Sequence, residues 1–388
     1  MTGRLGTLFL LGCFLPAFVC SEAFGDAVKS TPWLCGVTTN SVYACLEANN
    51  TTAATVNYGL TTAYGMSATT TSSGGSTQLT SGSNYVHNIP LTGLQPNTQY
   101  HYKVTQGASV SADYTFWTAP LPGTPAHWGF AADCRTNTGT HNTIAAKIAT
   151  YNPRMMVYGG DLCYSNTYSY WNDEWFVANQ NALNAVSPFV NSTGNHEGWN
   201  NMTKAFTQSA GGDPDYFSFD YGDSHILVLN YMVSDAVNSA QWNFAKADLQ
   251  ASNAKFKIVV DHSPAYCVGG HGEDSEMKAM TTQIFEPYGV DLVLTGHSHF
   301  YQHNLVNGIH HMVIGSFGAP LATPGTGSYT VYSEKTESFG IIDTTAYTLT
   351  LRTYRDDGTL IETIVIPEPA TMALLAFGAL AIIRRRGK

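Results

Sequence analysis

The sequence predicts two folded units in series, an all-β sandwich followed by an α/β domain. Three observations carry this. From Trp33 to about Ala119, short alternating strands are separated by Thr, Ser, Asn and Gly with no helical period. From His127 onward, apolar runs of strand length alternate with helical segments. Five polar motifs then fall directly after strands of that second unit, in the loops where open α/β sheets bind ligands. They are Ala132-Asp-Cys-Arg135, Gly160-Asp-Leu-Cys-Tyr164, Gly194-Asn-His-Glu197, Val259-Val-Asp-His262 and Gly296-His-Ser-His299.

The elements follow in order. Residues 1–23 have the layout of a secretory signal peptide: Arg4, an apolar run from Leu8 to Val19, and small or polar residues around Cys20 to Ala23. Lipidation at Cys20 is the alternative, disfavoured by the bulk of Val19. Residues 30–120 form the sandwich. Cys35 and Cys45 fall on two strands joined by a turn at Thr38 to Asn40, so a cross-strand disulfide is expected in an oxidising compartment. Within the stretch Leu91 to Val104, Tyr100 sits where a fibronectin type III domain ties a tyrosine hydroxyl back to upstream backbone. The stretch resembles that corner, and the unit is expected to be a spacer or a wall beside a site.

Residues 124–366 form the α/β domain. Strands are predicted at Trp128–Ala132, Met155–Tyr158, Phe189–Ser192, His225–Leu229, Lys257–Val260, Leu292–Leu294 and His311–Ile314. Helices are predicted at His141–Thr150, Ala240–Ala251 and Glu276–Phe285, and a final β run at Gly340–Thr350 and Thr359–Ile366 around an Asp357-Gly358 turn. Residues 367–388 read as a tail: Pro367-Glu-Pro369, an apolar stretch from Ala370 to Ile383, then Arg384, Arg385, Arg386 and Lys388. That stretch is short against the roughly 20 residues of a spanning helix.

Composition excludes some functions. The net charge is −10, and the tail holds four of the eighteen basic residues, so nucleic acid is disfavoured as the main partner. Of the seven cysteines, Cys13 and Cys20 would leave with the signal peptide; Cys134, Cys163 and Cys267 lie in or just after motifs, and a Cys134 to Cys163 pair is one option.

The motifs supply oxygen and nitrogen ligands for two metal ions side by side, and the two oxygens of Asp161 make it the natural bridge. In this order they resemble the purple acid phosphatase branch of the calcineurin-like metallophosphoesterases, over nearly all of the mature chain. That resemblance implies an α/β (α+β) metallophosphoesterase β-sandwich flanked by helices, preceded by a fibronectin type III-like sandwich. It assigns Asp133, Asp161, Tyr164 and His299 to a first metal, and Asn195, His262 and His297 to a second that shares Asp161. A phenolate ligand calls for a hard, highly charged cation, so the implied cofactors are Fe(3+) plus a divalent ion, Zn, Fe or Mn. An ordinary packed aromatic is the alternative for Tyr164.

The implied activity is an exported phosphomonoesterase, acid phosphatase-like, in which hydroxide generated at the metals attacks phosphorus in line. Asp161 and His196 are the catalytic candidates, with His196 supplying a proton to the leaving group and Glu197 orienting it or raising its pKa; a helix-start or surface carboxylate is the alternative for Glu197. His271, Arg135 and Asn195 are the candidates for phosphate ester binding; a solvent-facing loop residue is the alternative for His271. Arg135 departs from the family's usual glycine: it either crowds the first metal or faces the substrate phosphate, and the second is expected. A phosphodiesterase or nucleotide hydrolase would use the same site, and a surface or matrix protein with a structural metal domain is a reading from another class. The tail resembles PEP-CTERM sorting signals of Gram-negative bacteria, in preference to a plain tail anchor. It implies transient inner-membrane association, then release to the periplasm, outer surface or extracellular matrix, with association with exopolysaccharide.

Overall fold

A computed structural model describes residues 30–70, 85–198 and 215–368. The expected signal peptide and nearly all of the tail lie outside these residues. Among the described residues, no helix is long and apolar enough to cross a membrane.

Two large sheets face each other across one apolar core. The first has nine strands and runs, in spatial order, Leu360–Pro367, Thr348–Arg355, Ser338–Thr344, Ala126–Ala131, Met156–Tyr158, Phe189–Asn191, Trp33–Cys35, Ser41–Ala48 and Tyr85–Thr92. The second has seven: Phe217–Tyr221, Ser224–Val228, Phe256–Val260, Leu292–Thr295, Ile309–Ile314, Tyr301–Val306 and Thr330–Glu334. The strands that lead into the motifs are parallel to their neighbours, so their C-terminal ends share one edge.

Side-chain alternation builds the layers. Ile226 and Val228, Ile258 and Val260, and Leu292 and Leu294 point into the space between the sheets with Trp128, Phe130 and Val157. Their neighbours Leu227, Val259 and Val293 point the other way, onto Trp242, Ala245 and Leu249 of the helix Ala240–Ala251. Both faces are covered, which is why these strands are continuously apolar instead of alternating with polar residues. On the outer face of the first sheet lie the helices Thr138–Ala149 and Ala178–Asn184, and the segment around Trp171 and Trp175.

The N-terminal unit is more than a spacer. Its smaller sheet holds Met66–Thr70, Ala54–Gly59, Gln99–Gln106, Ser109–Val110 and Tyr114–Trp117. Its other three strands belong to the nine-stranded sheet, joined where Cys35 pairs in parallel with Phe189. The tyrosine corner is present: the amide of Gln95 donates to the Tyr100 hydroxyl at 2.9 Å. The buried Tyr102 hydroxyl donates to the Ala185 carbonyl at 2.7 Å, and Arg154 lies over the Trp117 ring, centroid 3.8 Å away.

The structure corrects several expectations. All five described cysteines are free thiols, so neither the Cys35 to Cys45 nor the Cys134 to Cys163 bond forms. Register explains the first: Cys35 stands opposite Tyr43, and Cys45 opposite Trp33, so the two are diagonal neighbours. The Cys134 and Cys163 thiols instead donate to the carbonyls of Leu162 (3.0 Å) and Ser165 (3.3 Å). The run Gly340–Thr350 is two strands, because the Thr345 hydroxyl accepts from the amides of Tyr347 and Thr348 and turns the chain. The helix predicted at Glu276–Phe285 starts at Ser275, capped by the Asp274 carboxylate, and widens to a π turn at Thr281–Phe285.

Candidate metal centre

Three of the candidate ligands sit in the left-handed backbone region just past a strand end: Asp133 at φ 59°, Asp161 at 54° and His297 at 66°. That conformation is costly for any residue other than glycine, and such strain gathers at functional sites. Here it turns the chain sharply off the sheet edge. The motif glycines permit the loops to touch. A Cβ on Gly194 would stand 2.3 Å from Asp161 Oδ1, and one on Gly296 would stand 2.2 Å from Asp133 Oδ2.

Ligand atoms of Asp133, Asp161 and His262, all buried, lie within 4.8 Å of one another. The Gly159 carbonyl can only accept, so His262 donates to it through Nδ1 (2.7 Å), which leaves Nε2 aimed at the centre. Around that Nε2 stand His297 Nδ1 at 3.1 Å, Asn195 Oδ1 at 3.2 Å and Asp161 Oδ1 at 3.4 Å. His299 is oriented the same way: its Nδ1 donates to the Pro320 carbonyl (2.9 Å), and its Nε2 faces Asp133 Oδ1 at 3.5 Å. Fixing a ring by its outer nitrogen is the usual support of a metal-bound histidine. Asp133 Oδ1 is buried with no hydrogen-bond partner.

This donor set fits metal ions. An orphaned buried carboxylate oxygen is costly unless a cation meets it, and imidazole lone pairs do not face each other at 3.1 Å without a proton or ion between them. Charge follows the same geometry. Burial acts to lower His262, but Asp161, Asp133 and Glu197 hold it up to about 8, while burial and the His262 charge take His297 down to about 3. Burial acts to raise Asp161, yet His262, His196 and Arg135 bring it below the usual carboxylate range.

The remaining candidates occupy the rim. Tyr164 is 46% exposed, its ring 5.0 Å from that of His196, and Asn195 is exposed. His196 donates through Nδ1 to the Tyr164 carbonyl (2.7 Å), and its Nε2 lies 3.9 Å from Asp161 Oδ2. His271 is exposed but not a loose loop residue: its ring stacks on His297, centroids 4.1 Å apart. Two expectations are corrected. Glu197 neither orients His196 nor lies on the surface; it is buried, and its Oε1 accepts from the amides of Asp161 and Gly194. Arg135 is turned inward, 8% exposed, onto Asp161 Oδ2 and His299 Nε2, where the converging acidic groups draw its charge.

Sequence reasoning missed two residues. Glu174 accepts from the Tyr164 amide at 2.5 Å and so holds the Tyr164 loop, although nothing in Trp171-Asn-Asp-Glu-Trp175 marks it. Tyr231 packs its ring against His262 and His297, at 5.7 and 5.6 Å. Its signal was available: it follows directly on a predicted strand, as every motif does.

Residues 129–301 match the calcineurin-like phosphoesterases, and residues 38–118 match the N-terminal domain of purple acid phosphatases. Residues 365–387 match the PEP-CTERM protein-sorting motif, which marks an exported protein with a Gram-negative sorting signal. The Fe(3+)-Zn(2+) purple acid phosphatase 12 of Arabidopsis thaliana is 25% identical over 58% of this chain and 56% of its own length. Purple acid phosphatase 1 of Ipomoea batatas is 23% identical over 66% of this chain and 60% of its own. In fold, the chain is similar to the purple acid phosphatase PPD1 from yellow lupin seeds (TM-score 0.77, 19% identity, 89% of this chain and 75% of that one). It is also similar to PhoD (TM-score 0.66, 14% identity, 87% and 94%). Residues 129–301 are thus of the calcineurin-like phosphoesterase class. With the N-terminal domain of purple acid phosphatases ahead of them, the chain is similar to the purple acid phosphatases. It spans 56% and 60% of the lengths of the two plant relatives.

Proposed function

We propose that this protein is an exported dimetal phosphomonoesterase, acid phosphatase-like, that hydrolyses phosphate esters. The observation that carries the reading is the convergence of Asp133, Asp161 and His262 within 4.8 Å at one sheet edge, ringed by Asn195, His297 and His299. In this reading Asp133, Asp161, Tyr164 and His299 hold a ferric ion, and Asn195, His262 and His297 hold a divalent ion, with Asp161 shared. The Arabidopsis relative, named as an Fe(3+)-Zn(2+) enzyme, supports zinc as the divalent ion, with iron and manganese as alternatives of similar ligand preference.

Bound ions would supply a water of lowered pKa and neutralise phosphoryl charge. The chain's residues do the rest. His196, held by the Tyr164 carbonyl, keeps Nε2 near Asp161 Oδ2 and hands a proton to the leaving oxygen. His271, stacked on His297, and the exposed amide of Asn195 offer donors to the ester oxygens from the same side. Domain limits of 30–120 and 124–366, a leader at 1–23 and a tail at 367–388 complete the organisation. The tail engages the inner membrane transiently, and the body works in the periplasm, on the outer surface or in the extracellular matrix, beside exopolysaccharide.

The test is turnover of a nitrophenyl phosphate monoester beside the matching diester, with iron and zinc supplied and Asp161→Asn as control. Monoester hydrolysis lost in the variant is expected. Preference for the diester would convert the reading to a phosphodiesterase, and no turnover of either would end it.

A further inference from the structure

Arg135 sits against members of the ligand set proposed for the first ion. Its Nε donates to Asp161 Oδ2 at 3.1 Å, and its Nη2 lies 3.1 Å from His299 Nε2. The ring orientation of His299 makes that Nε2 a lone pair, because the opposite nitrogen donates to Pro320. The third nitrogen, Nη1, reaches the Thr136 hydroxyl at 3.4 Å, and the guanidinium carbon lies 5.7 Å from the centre of the Tyr164 ring. The guanidinium therefore touches two members of the first-ion set, Asp161 and His299, through the very atoms that would ligate, and faces a third, Tyr164.

From this geometry we infer that Arg135 is a resident cation of the first metal subsite, and that it competes with the ion for Asp161 Oδ2 and His299 Nε2. The inference rests on the dimetal reading of the site but not on turnover. A lone pair cannot accept a proton from Arg135 and bind an ion together, and two cations against one carboxylate oxygen repel. Loading the first subsite therefore requires Arg135 to let go of both partners. Asp161, Asp133, His299 and the strand ends wall it in, so the released guanidinium turns toward the rim beside Tyr164 and His196, on the side where an ester would bind. The second subsite shares Asp161, but its own ligands His262, His297 and Asn195 stand around His262 Nε2 and the guanidinium hydrogen-bonds to Asp161, His299 and Thr136 instead. The two ions thus load with separate dependences, and a small residue at position 135 removes the competition at one of them only.

The experiment is a titration of the chelator-stripped full chain with zinc alone, followed by calorimetry and by metal content after gel filtration. Wild type is compared with Arg135→Ala and Arg135→Gln. In both variants the weaker of two binding steps is expected to tighten by about 10–100-fold, the range over which neighbours of metal ligands tune affinity, while the tighter step moves less than about twofold. Thermal unfolding supplies a second readout. Without zinc both variants should melt below wild type, having lost the bridge between Asp161 and His299; with saturating zinc that order should vanish or reverse. Equal affinities in all three proteins, or a first ion bound more weakly by the variants, would overturn the inference. Should Arg135→Ala fail to fold, the neutral Arg135→Gln, which keeps most of the side-chain stem, decides alone. Absence of ester hydrolysis by a wild type that binds two zinc ions would count against the proposed activity and leave this competition standing.

Discussion

The carboxylate of Glu197 accepts the backbone amide of Asp161 at 3.0 Å, across 36 residues of sequence, and takes the amide of Gly194 at 2.9 Å through the same oxygen. One buried side chain thereby clamps the loop that carries Asp161 to the loop that carries Asn195 and His196. Burial, with the Asp161 charge, pushes its carboxyl up to about 8.

Truncation at this position should therefore damage stability more than charge removal does. Glu197→Ala leaves two buried amides unanswered and is expected to cost about 2–4 kcal/mol. Glu197→Gln keeps an acceptor oxygen and should cost under about 1.5 kcal/mol. Chemical denaturation of both variants at pH 6 checks the difference; equal losses would remove the clamp from the account.

Gly194→Ala tests the close approach of the same two loops. The added Cβ meets Asp161 Oδ1 at 2.3 Å, so the Asp161 carboxylate must move. Zinc affinity should fall by about 10–100-fold, as for other disturbances next to metal ligands, and competition against a chelator dye would measure it.

His196→Ala should show itself through the leaving group. Hydrolysis of an alkyl phosphate, whose alkoxide needs a proton, is expected to slow by about 10²–10⁴-fold. A nitrophenyl ester leaves without that help and should slow far less. A uniform loss on both esters would assign His196 a binding or structural role.

At the other end of the second sheet, His225 lies between Asp220 (2.8 Å) and Asp248 (2.7 Å). Burial alone would lower it, but the two carboxylates raise it to about 9. Its folded value exceeds the unfolded one of about 6.5, so its stabilisation is full below pH 6.5 and is lost as pH rises through 9. Asp220 is largely exposed, which limits the contribution to about 1–2 kcal/mol. His225→Gln should lower the melting temperature at pH 6 and leave it nearly unchanged at pH 9.5.

Much of this site was legible because its ligands follow strands. The strand at Phe256–Val260 is a plain apolar run and His262 comes two residues later, so placement followed from pattern alone. The inward turn of Arg135 was not legible, since nothing local to Ala132-Asp-Cys-Arg135 says which way a long side chain points once three other loops converge on it. The partners of Glu197 escaped for the same reason: they are backbone amides, and amides carry no signature in residue types. The strand Tyr301–Val306 was missed because His303 and Asn304 interrupt its apolar pattern. In the fold, His303 meets His310 and Glu362, and Asn304 donates to the Tyr266 carbonyl, so these polar side chains find partners inside a sheet.

The pairing of Trp33–Cys35 onto Phe189–Asn191 gives the N-terminal unit a duty toward the rest of the chain. Severed from that partner, the second unit would present open amides and carbonyls beside the segment that leads to Asn195, a template for adhesion between copies. The first unit thus acts as strand complementation in cis, and the two halves of the sheet should melt as one cooperative body. A protein that carries an export sorting signal thereby brings its own guard against self-association within the same chain.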